Sequence, residues 1–179
     1  MIRTVFAFVA LLFLIPQQLE TISWSKARKL TWQDFKAEPV TGTTAVALTA
    51  SGITFGYSVQ KLNGSIVEFD ARISSHFYPE KSWVVKEHAN DHILRHEQLH
   101  FDITELHVRK LREAVSKLRP SNRVPRQLDE LHALVNKQLK DTQHAYDTQS
   151  NHSINIEAQL EWEKLIAVEL EKLDEFASK

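Results

Sequence analysis

The chain predicts an α+β fold: a small N-terminal antiparallel sheet followed by about three helices. Two observations predict it. Residues 45–77 are rich in Val, Ile, Thr, Phe and Tyr and are divided by the pair Asn63-Gly64, the pattern of a β-hairpin. From about Glu87 onward, apolar residues recur at helical spacing instead, punctuated by Pro120, Pro125 and one polar stretch.

Each element follows from local chemistry. Trp24 to Pro39, with the stretch Leu30-Thr31-Trp32-Gln33-Asp34-Phe35, reads as a lead-in that packs on the domain. Thr41-Gly42-Thr43-Thr44 is a loop, and Ala45 to Gln60 a strand in which Gly52 and Gly56 mark a bulge or break. Ser65 to Phe77 is the return strand. Ile66, Glu68, Asp70 and Arg72 alternate there with Val67, Phe69, Ala71 and Ile73, and Pro79 ends the run. A long helix is expected from about Glu87 to Leu118, with Phe101, Val108, Leu111, Val115 and Leu118 on its apolar face. A second helix should span about Arg126 to His144, with Leu128, Leu131, Leu134, Val135 and Leu139 inward. Tyr146 to Ser153 reads as a polar loop. A third helix should cover about Ile154 to Phe176, with Trp162, Leu165, Ile166, Leu170, Leu173 and Phe176 as its apolar side. The chain contains no repeat and no low-complexity segment.

Residues 1–23 read as a signal peptide or N-terminal anchor. Arg3 supplies the positive end, and Val5 to Ile15 is an apolar run too short for a span of about twenty residues but suited to a signal core. Thr21-Ile22-Ser23 is the best small-x-small cleavage candidate, which makes residues 24–179 a single domain. The expected location is periplasmic or secreted, with membrane contact only through an uncleaved N-terminal segment.

Composition narrows the chemistry. Hydrophobic content of 42% and charged content of 25% suit a globular domain, and a formal net charge of −1 offers no field for nucleic acid. The chain has no cysteine, which excludes disulfides and thiolate metal sites, so any metal must be held by imidazole, carboxylate or carbonyl. It has nine histidines, most of them between His76 and His107.

Two of these define a motif, His96-Glu97-Gln98-Leu99-His100. Residues four apart lie on one helix face, one turn apart, so His96 and His100 can present two ring nitrogens to one zinc ion. Glu97 stands beside them as general base and then acid for an attacking water. A sheet followed by a helix bearing this motif is a zincin-like order, and an edge strand there can pair with an extended peptide. A catalytic zinc needs a third protein ligand. His107 lies about 10 Å further along the axis and cannot reach, and Asp102 points about 200° away from His100. The third ligand must come from elsewhere, with His152 as first choice, Asp147 next and Glu157 after it. Tyr146 is a candidate donor to a developing oxyanion. Asp147 could also orient a metal-bound histidine or cap a helix end. There is no Ser-His-Asp arrangement and no phosphate-binding glycine loop.

Trp32-Gln33-Asp34-Phe35, Ser82-Trp83, the run His96 to Asp102, and Tyr146-Asp147 with His152 resemble the bacterial family known as domain of unknown function 922, described as predicted secreted zinc-dependent proteases. The resembled pattern at the last block is Tyr-Asp-x-x-Thr-x-His-Gly. This chain carries Ser150 for the threonine and Ser153 for the glycine. The resemblance implies a peptidase of the HExxH type and adds weight to His152 as a zinc ligand. The expectation is therefore a zincin-like metallopeptidase domain with zinc as cofactor and a peptide or protein as substrate. The rival expectations are a non-catalytic zinc-binding or interaction protein of the cell envelope, and a plain scaffold without metal.

Overall fold

A computed structural model describes residues 19–178. Among these residues the architecture is α+β, with an antiparallel sheet and three α-helices. Five strands come first: β1 (Ile22–Ser23), β2 (Ala47–Leu48), β3 (Ser51–Leu62), β4 (Ser65–Phe77) and β5 (Trp83–Val84). Then follow α1 (Asp91–Ser116), α2 (Val124–Gln149) and α3 (Ile156–Lys172). The first sheet has the order β1-β4-β3, and β2 pairs separately with β5. Residues 1–18, the bulk of the expected leader, lie outside the described residues. Its last part, Ile22–Ser23, forms β1 and pairs with Phe77 and His76. Among the described residues no helix is long and apolar enough to cross a membrane.

The hairpin forms where expected. Asn63 and Gly64 both take positive φ, 51° and 79°, which is what a two-residue type I′ turn demands. The anticipated strand from Ala45 to Gln60 is interrupted at Thr49-Ala50, which divides β2 from β3. The register shift falls between Gln60 and Lys61, not at either glycine.

The helices differ from expectation at their ends and at Leu134 and Leu165, expected to face inward but half exposed. α1 begins at Asp91 because the Asn90 side chain accepts a hydrogen bond from Ile93 N, an ordinary N-cap. Pro125 lies in the first turn of α2, where its missing N–H costs nothing, so it opens that helix. α2 then runs past His144 to Gln149. The reason is burial: Tyr146 is fully buried, and the Ser150 hydroxyl donates to the Tyr146 carbonyl to close the last turn. α3 starts at Ile156 under an Asn155 cap.

α1 is the axis of the molecule. Every residue from Phe101 to Arg109 is buried. Ile73 of β4 packs with Val108, Leu111 and Val115 of α1 and with Val124, Leu128 and Val135 of α2. Trp24, Leu30 and Phe35 of the lead-in pack with Phe77, Val84 and Phe101. Leu99, Ile103 and Leu106 meet Leu139 and Tyr146 of α2 and Ile166 of α3. α1 and α2 are antiparallel, since the end of α1 meets the start of α2 while His100 meets Tyr146.

A helix buried on all sides must have its polar side chains satisfied by its neighbours. Asp102 accepts from Trp24 Nε1 at 2.6 Å, Gln98 Nε2 at 2.8 Å and Lys29 Nζ at 3.3 Å. Glu105, with no exposed surface, accepts from Ser75 Oγ, Arg109 Nε, Ser178 N and Ser178 Oγ. Arg109 also donates to the Leu170 carbonyl and stands over the Trp24 ring, 5.1 Å from its centroid. Replacing Glu105 with Ala would remove the buried carboxylate from the Arg109 guanidinium and leave it only the exposed Asp174, at 3.5 Å. This substitution is expected to lower the unfolding free energy by about 3–5 kcal/mol, read by denaturant titration.

His107 is buried with Nδ1 donating to the Ile103 carbonyl at 2.9 Å. Burial lowers its pKa, opposed in part by that hydrogen bond, and the Lys110 charge lowers it further. The folded state thus resists a proton that the unfolded chain accepts near pH ~6.5. Its contribution is present above that pH and is lost as pH falls toward the folded value. Between pH 7 and pH 5 the melting temperature of a His107→Gln variant should fall less steeply than that of the unaltered protein.

Candidate metal centre

The centre lies where α1 and α2 converge. His96 and His100, one turn apart on α1, aim their Nε2 atoms at the same point, 3.2 Å from each other. Asp147, in the last turn of α2, closes a triangle with them: its Oδ1 is 3.2 Å from His96 Nε2 and 2.9 Å from His100 Nε2. Two ligands held about 2.0–2.1 Å from a tetrahedral zinc stand about 3.3 Å apart. The three edges therefore fit one face of such a site, and a donor set of two imidazoles and a carboxylate suits zinc chemically. His96, His100 and Asp147 are the group of potential ligands found among the described residues.

Electrostatics couple the three groups. Burial is the largest influence on His100 and lowers its pKa, but the Asp147 hydrogen bond and the Glu97 and Asp147 charges outweigh it and raise it. For Asp147 burial is again the largest influence and acts upward. The hydrogen bonds and charges of His100 and His96 overcome it and hold the carboxyl well below the usual range.

Glu97 is buried beside the pair, and no hydrogen bond ties its carboxylate to another described residue. Its backbone carbonyl accepts from Thr49 Oγ1 at 3.1 Å, which sets the corner between β2 and β3 alongside α1 at this point. Tyr146 has no exposed surface. Its ring stacks on His96, centroids 4.5 Å apart, and meets His100 edge-on at 5.1 Å. Its hydroxyl is buried without a hydrogen-bond partner among the described residues, as is His96 Nδ1. Burial pushes the phenol pKa up, and the Glu163, Glu97 and Asp147 charges push it further. The tyrosine is thus placed as a wall that holds the imidazoles.

The structure brings together His96, Glu97, His100, Tyr146 and Asp147. It does not bring in His152, the first choice for third ligand, or Glu157. Glu157 is exposed in the first turn of α3. His152 is exposed in a turn after α2, between Asn151 and Ser153, and all three residues have positive φ, at 47°, 52° and 71°. The physical reason is the length of α2: the segment expected as a loop from Tyr146 is helical through Gln149. Asp147 is therefore carried on a rigid helix face toward α1, while His152 falls beyond the helix end. His92, one turn before His96, anchors this turn by donating Nε2–H to the Ser153 carbonyl at 2.6 Å.

Gln143 escaped the sequence reading. It lies one turn before Asp147, and its Oε1 is in close contact with His100 Nδ1. Its spacing from Asp147 was legible, but an isolated glutamine on a helix gives no signal of its own. A groove of about 830 Å³ lies elsewhere, against Trp24, Leu94, Gln98, Asp102, Arg109 and Leu170. It follows the face of α1 turned away from the histidine pair, and its size does not make it part of this centre.

Fold and centre together define an α+β protein with two histidines and an aspartate gathered between antiparallel helices. Residues 20–153 match the family described as bacterial protein of unknown function (DUF922), and the chain belongs to that family. The match spans the sheet, α1, α2 and the turn bearing His152, and stops before α3. Neither the curated proteins nor the solved structures gave a match to this chain.

The strained turn yields a direct test. Ser153 stands at the glycine of the resembled pattern, with φ at 71°, a conformation that costs an ordinary residue roughly 1–2 kcal/mol. Ser153→Gly relieves that cost against a smaller entropic loss. It is expected to raise the unfolding free energy by up to about 1 kcal/mol in denaturant titration.

Proposed function

We propose that this protein is a zinc-dependent peptidase of the cell envelope, acting in the periplasm or outside the cell on a peptide or protein substrate. The observation that carries the reading is the His96–His100–Asp147 triangle with the carboxylate of Glu97 beside it. In this reading the fold is zincin-like, and the long helix α1 supplies both the histidine pair and the base.

His96 and His100 would hold zinc through Nε2, and Asp147 through a carboxylate oxygen. When bound, zinc supplies Lewis-acid polarisation of a carbonyl and lowers the pKa of water toward ~7. The remaining work belongs to the chain. The Glu97 carboxylate, with no hydrogen-bond partner among the described residues, takes a proton from the attacking water and delivers it to the departing amine. The Tyr146 ring keeps bulk water from one side of the imidazoles. Its hydroxyl, buried without a hydrogen-bond partner among the described residues, is the candidate donor to a developing oxyanion.

The test is metal content by mass spectrometry on the purified full chain, together with peptide hydrolysis. The unaltered protein should carry near-stoichiometric zinc. Asp147→Ala should lose most of it, whereas His152→Ala should retain it. Glu97→Gln should keep zinc and lose hydrolysis by at least about 10²-fold, the scale of a missing general base. Hydrolysis retained by Glu97→Gln would overturn the mechanism. Zinc held equally by a protein that cleaves nothing would favour the non-catalytic zinc-binding protein. A protein that takes up no zinc even when it is supplied would leave the motif an ordinary helix face.

A further inference from the structure

We infer that Gln143 is the positioning residue of the centre: its side-chain amide fixes the orientation and tautomer of His100, so that Nε2 presents a lone pair toward Asp147 and His96. The inference rests on the metal-site reading above and adds to it a residue, and a role, that neither the motif nor the family match assigns.

The orientation of the Gln143 amide is set by its surroundings. Its Nε2 lies 2.9 Å from the backbone carbonyl of His100 and 3.4 Å from Thr104 Oγ1. A carbonyl oxygen can only accept, so the nitrogen end of the amide must face it. The oxygen end, Oε1, is then the atom against His100 Nδ1. An amide oxygen can only accept as well, so Nδ1 carries the proton and donates it. A neutral imidazole protonated at Nδ1 has its lone pair at Nε2. In the neutral ring that lone pair faces the Asp147 carboxylate, 2.9 Å away, and a second imidazole nitrogen 3.2 Å away; in the protonated ring the same atom carries the proton that Asp147 accepts, and a cation takes that proton's place.

Three electron-rich atoms held this close repel unless a proton or a cation lies among them. By fixing the proton of His100 on the far side of the ring, Gln143 clears the near side for a cation. Outer partners of this kind on a ligating histidine typically govern 10–100-fold in metal affinity.

The placement is economical in helix terms. Gln143 and Asp147 are four apart on α2, as His96 and His100 are on α1, so each helix offers a two-residue face to the other. Thr104 donates its own hydroxyl to the His100 carbonyl at 3.1 Å, so the amide and this hydroxyl converge on one carbonyl and hold the turn that carries the ring. His96 has no equivalent, since its Nδ1 is buried without a partner among the described residues. The structure orients His96 by stacking on Tyr146 and orients His100 by the Gln143 hydrogen bond.

The experiment compares zinc dissociation constants, by chelator competition, for the unaltered full chain and for Asp147→Ala, Gln143→Leu and Gln143→Glu. The cobalt-substituted visible spectrum and the melting temperature of each metal-free form are recorded alongside. Gln143→Leu keeps the bulk and removes the acceptor. It should weaken zinc binding by about 10–100-fold and shift the cobalt spectrum, while the metal-free melting temperature stays near that of the parent. Gln143→Glu restores an acceptor to Nδ1–H but gives up the donor to the His100 carbonyl, and should recover part of the affinity lost in Gln143→Leu, a rescue that a purely space-filling role would not predict. If the parent binds zinc, Asp147→Ala does not, and Gln143→Leu binds as the parent does, this inference falls and the metal site stands. Equal loss in both Gln143 variants would also overturn it, as the mark of a packing role. If the parent itself binds no zinc, both readings fall.

Discussion

The structure depends on burying a polar helix. α1 is enclosed from Phe101 to Arg109, yet that stretch carries Asp102, Thr104, Glu105, His107 and Arg109. Taking such groups out of water costs several kcal/mol for each one left unpaired, and more for the charges. Each neighbouring element is consequently where it can answer one of them. The lead-in brings Trp24 and Lys29 to Asp102. β3 brings Ser51 to Thr104, and β4 brings Ser75 to Glu105. α2 places Thr142 near His107, and α3 offers the Leu170 carbonyl to Arg109. Ser178, beyond the end of α3, returns to Glu105. The apolar clusters drive this packing, and the polar contacts select one arrangement of it.

The candidate metal centre is the same logic carried one turn toward the N-terminus of α1. There the polar groups are His96, Glu97 and His100, and the envelope is incomplete. The side chain of His100 keeps 13% of its surface exposed and that of Asp147 keeps 30%. α2 closes the side of Tyr146 and Gln143 and leaves an approach at Asp147. The groups deeper in α1 are paired by the protein, whereas these converge on a point that a proton or cation can fill. That difference in satisfaction along a single helix is the physical basis for placing function here.

The turn after α2 shows a cost carried elsewhere in the fold. Asn151, His152 and Ser153 occupy left-handed backbone without a glycine among them. Asparagine tolerates this conformation and serine does so less well. The turn is held by the His92 contact to Ser153 and by backbone hydrogen bonds from His152 to Asp147 and from Asn155 to Ser150. These contacts anchor the end of α2, and with it Asp147, against the first turns of α1.

Much of this was determined by the sequence alone, because it is set by near neighbours. The Asn63-Gly64 turn, the alternation of β4 from Glu68 to Ile73 and the apolar spacing of α1 depend on residues a few positions apart, whereas next to the turn Ile66 is buried and Val67 exposed, the reverse of the alternation expected there. So does the facing of His96 and His100, which follows from helix pitch. Where long-range packing competes with local preference, only the tertiary structure decided. The polar run from Tyr146 reads locally as loop, but burying Tyr146 against the two histidines extends α2 through it. That extension put Asp147 into the centre and left His152 outside. Gln143 joined for the same reason, since its partner is 43 residues away in sequence and meets it only when two antiparallel helices pack. Local chemistry can specify which residues share one helix face. Which two faces meet is settled by how the whole buried surface is covered.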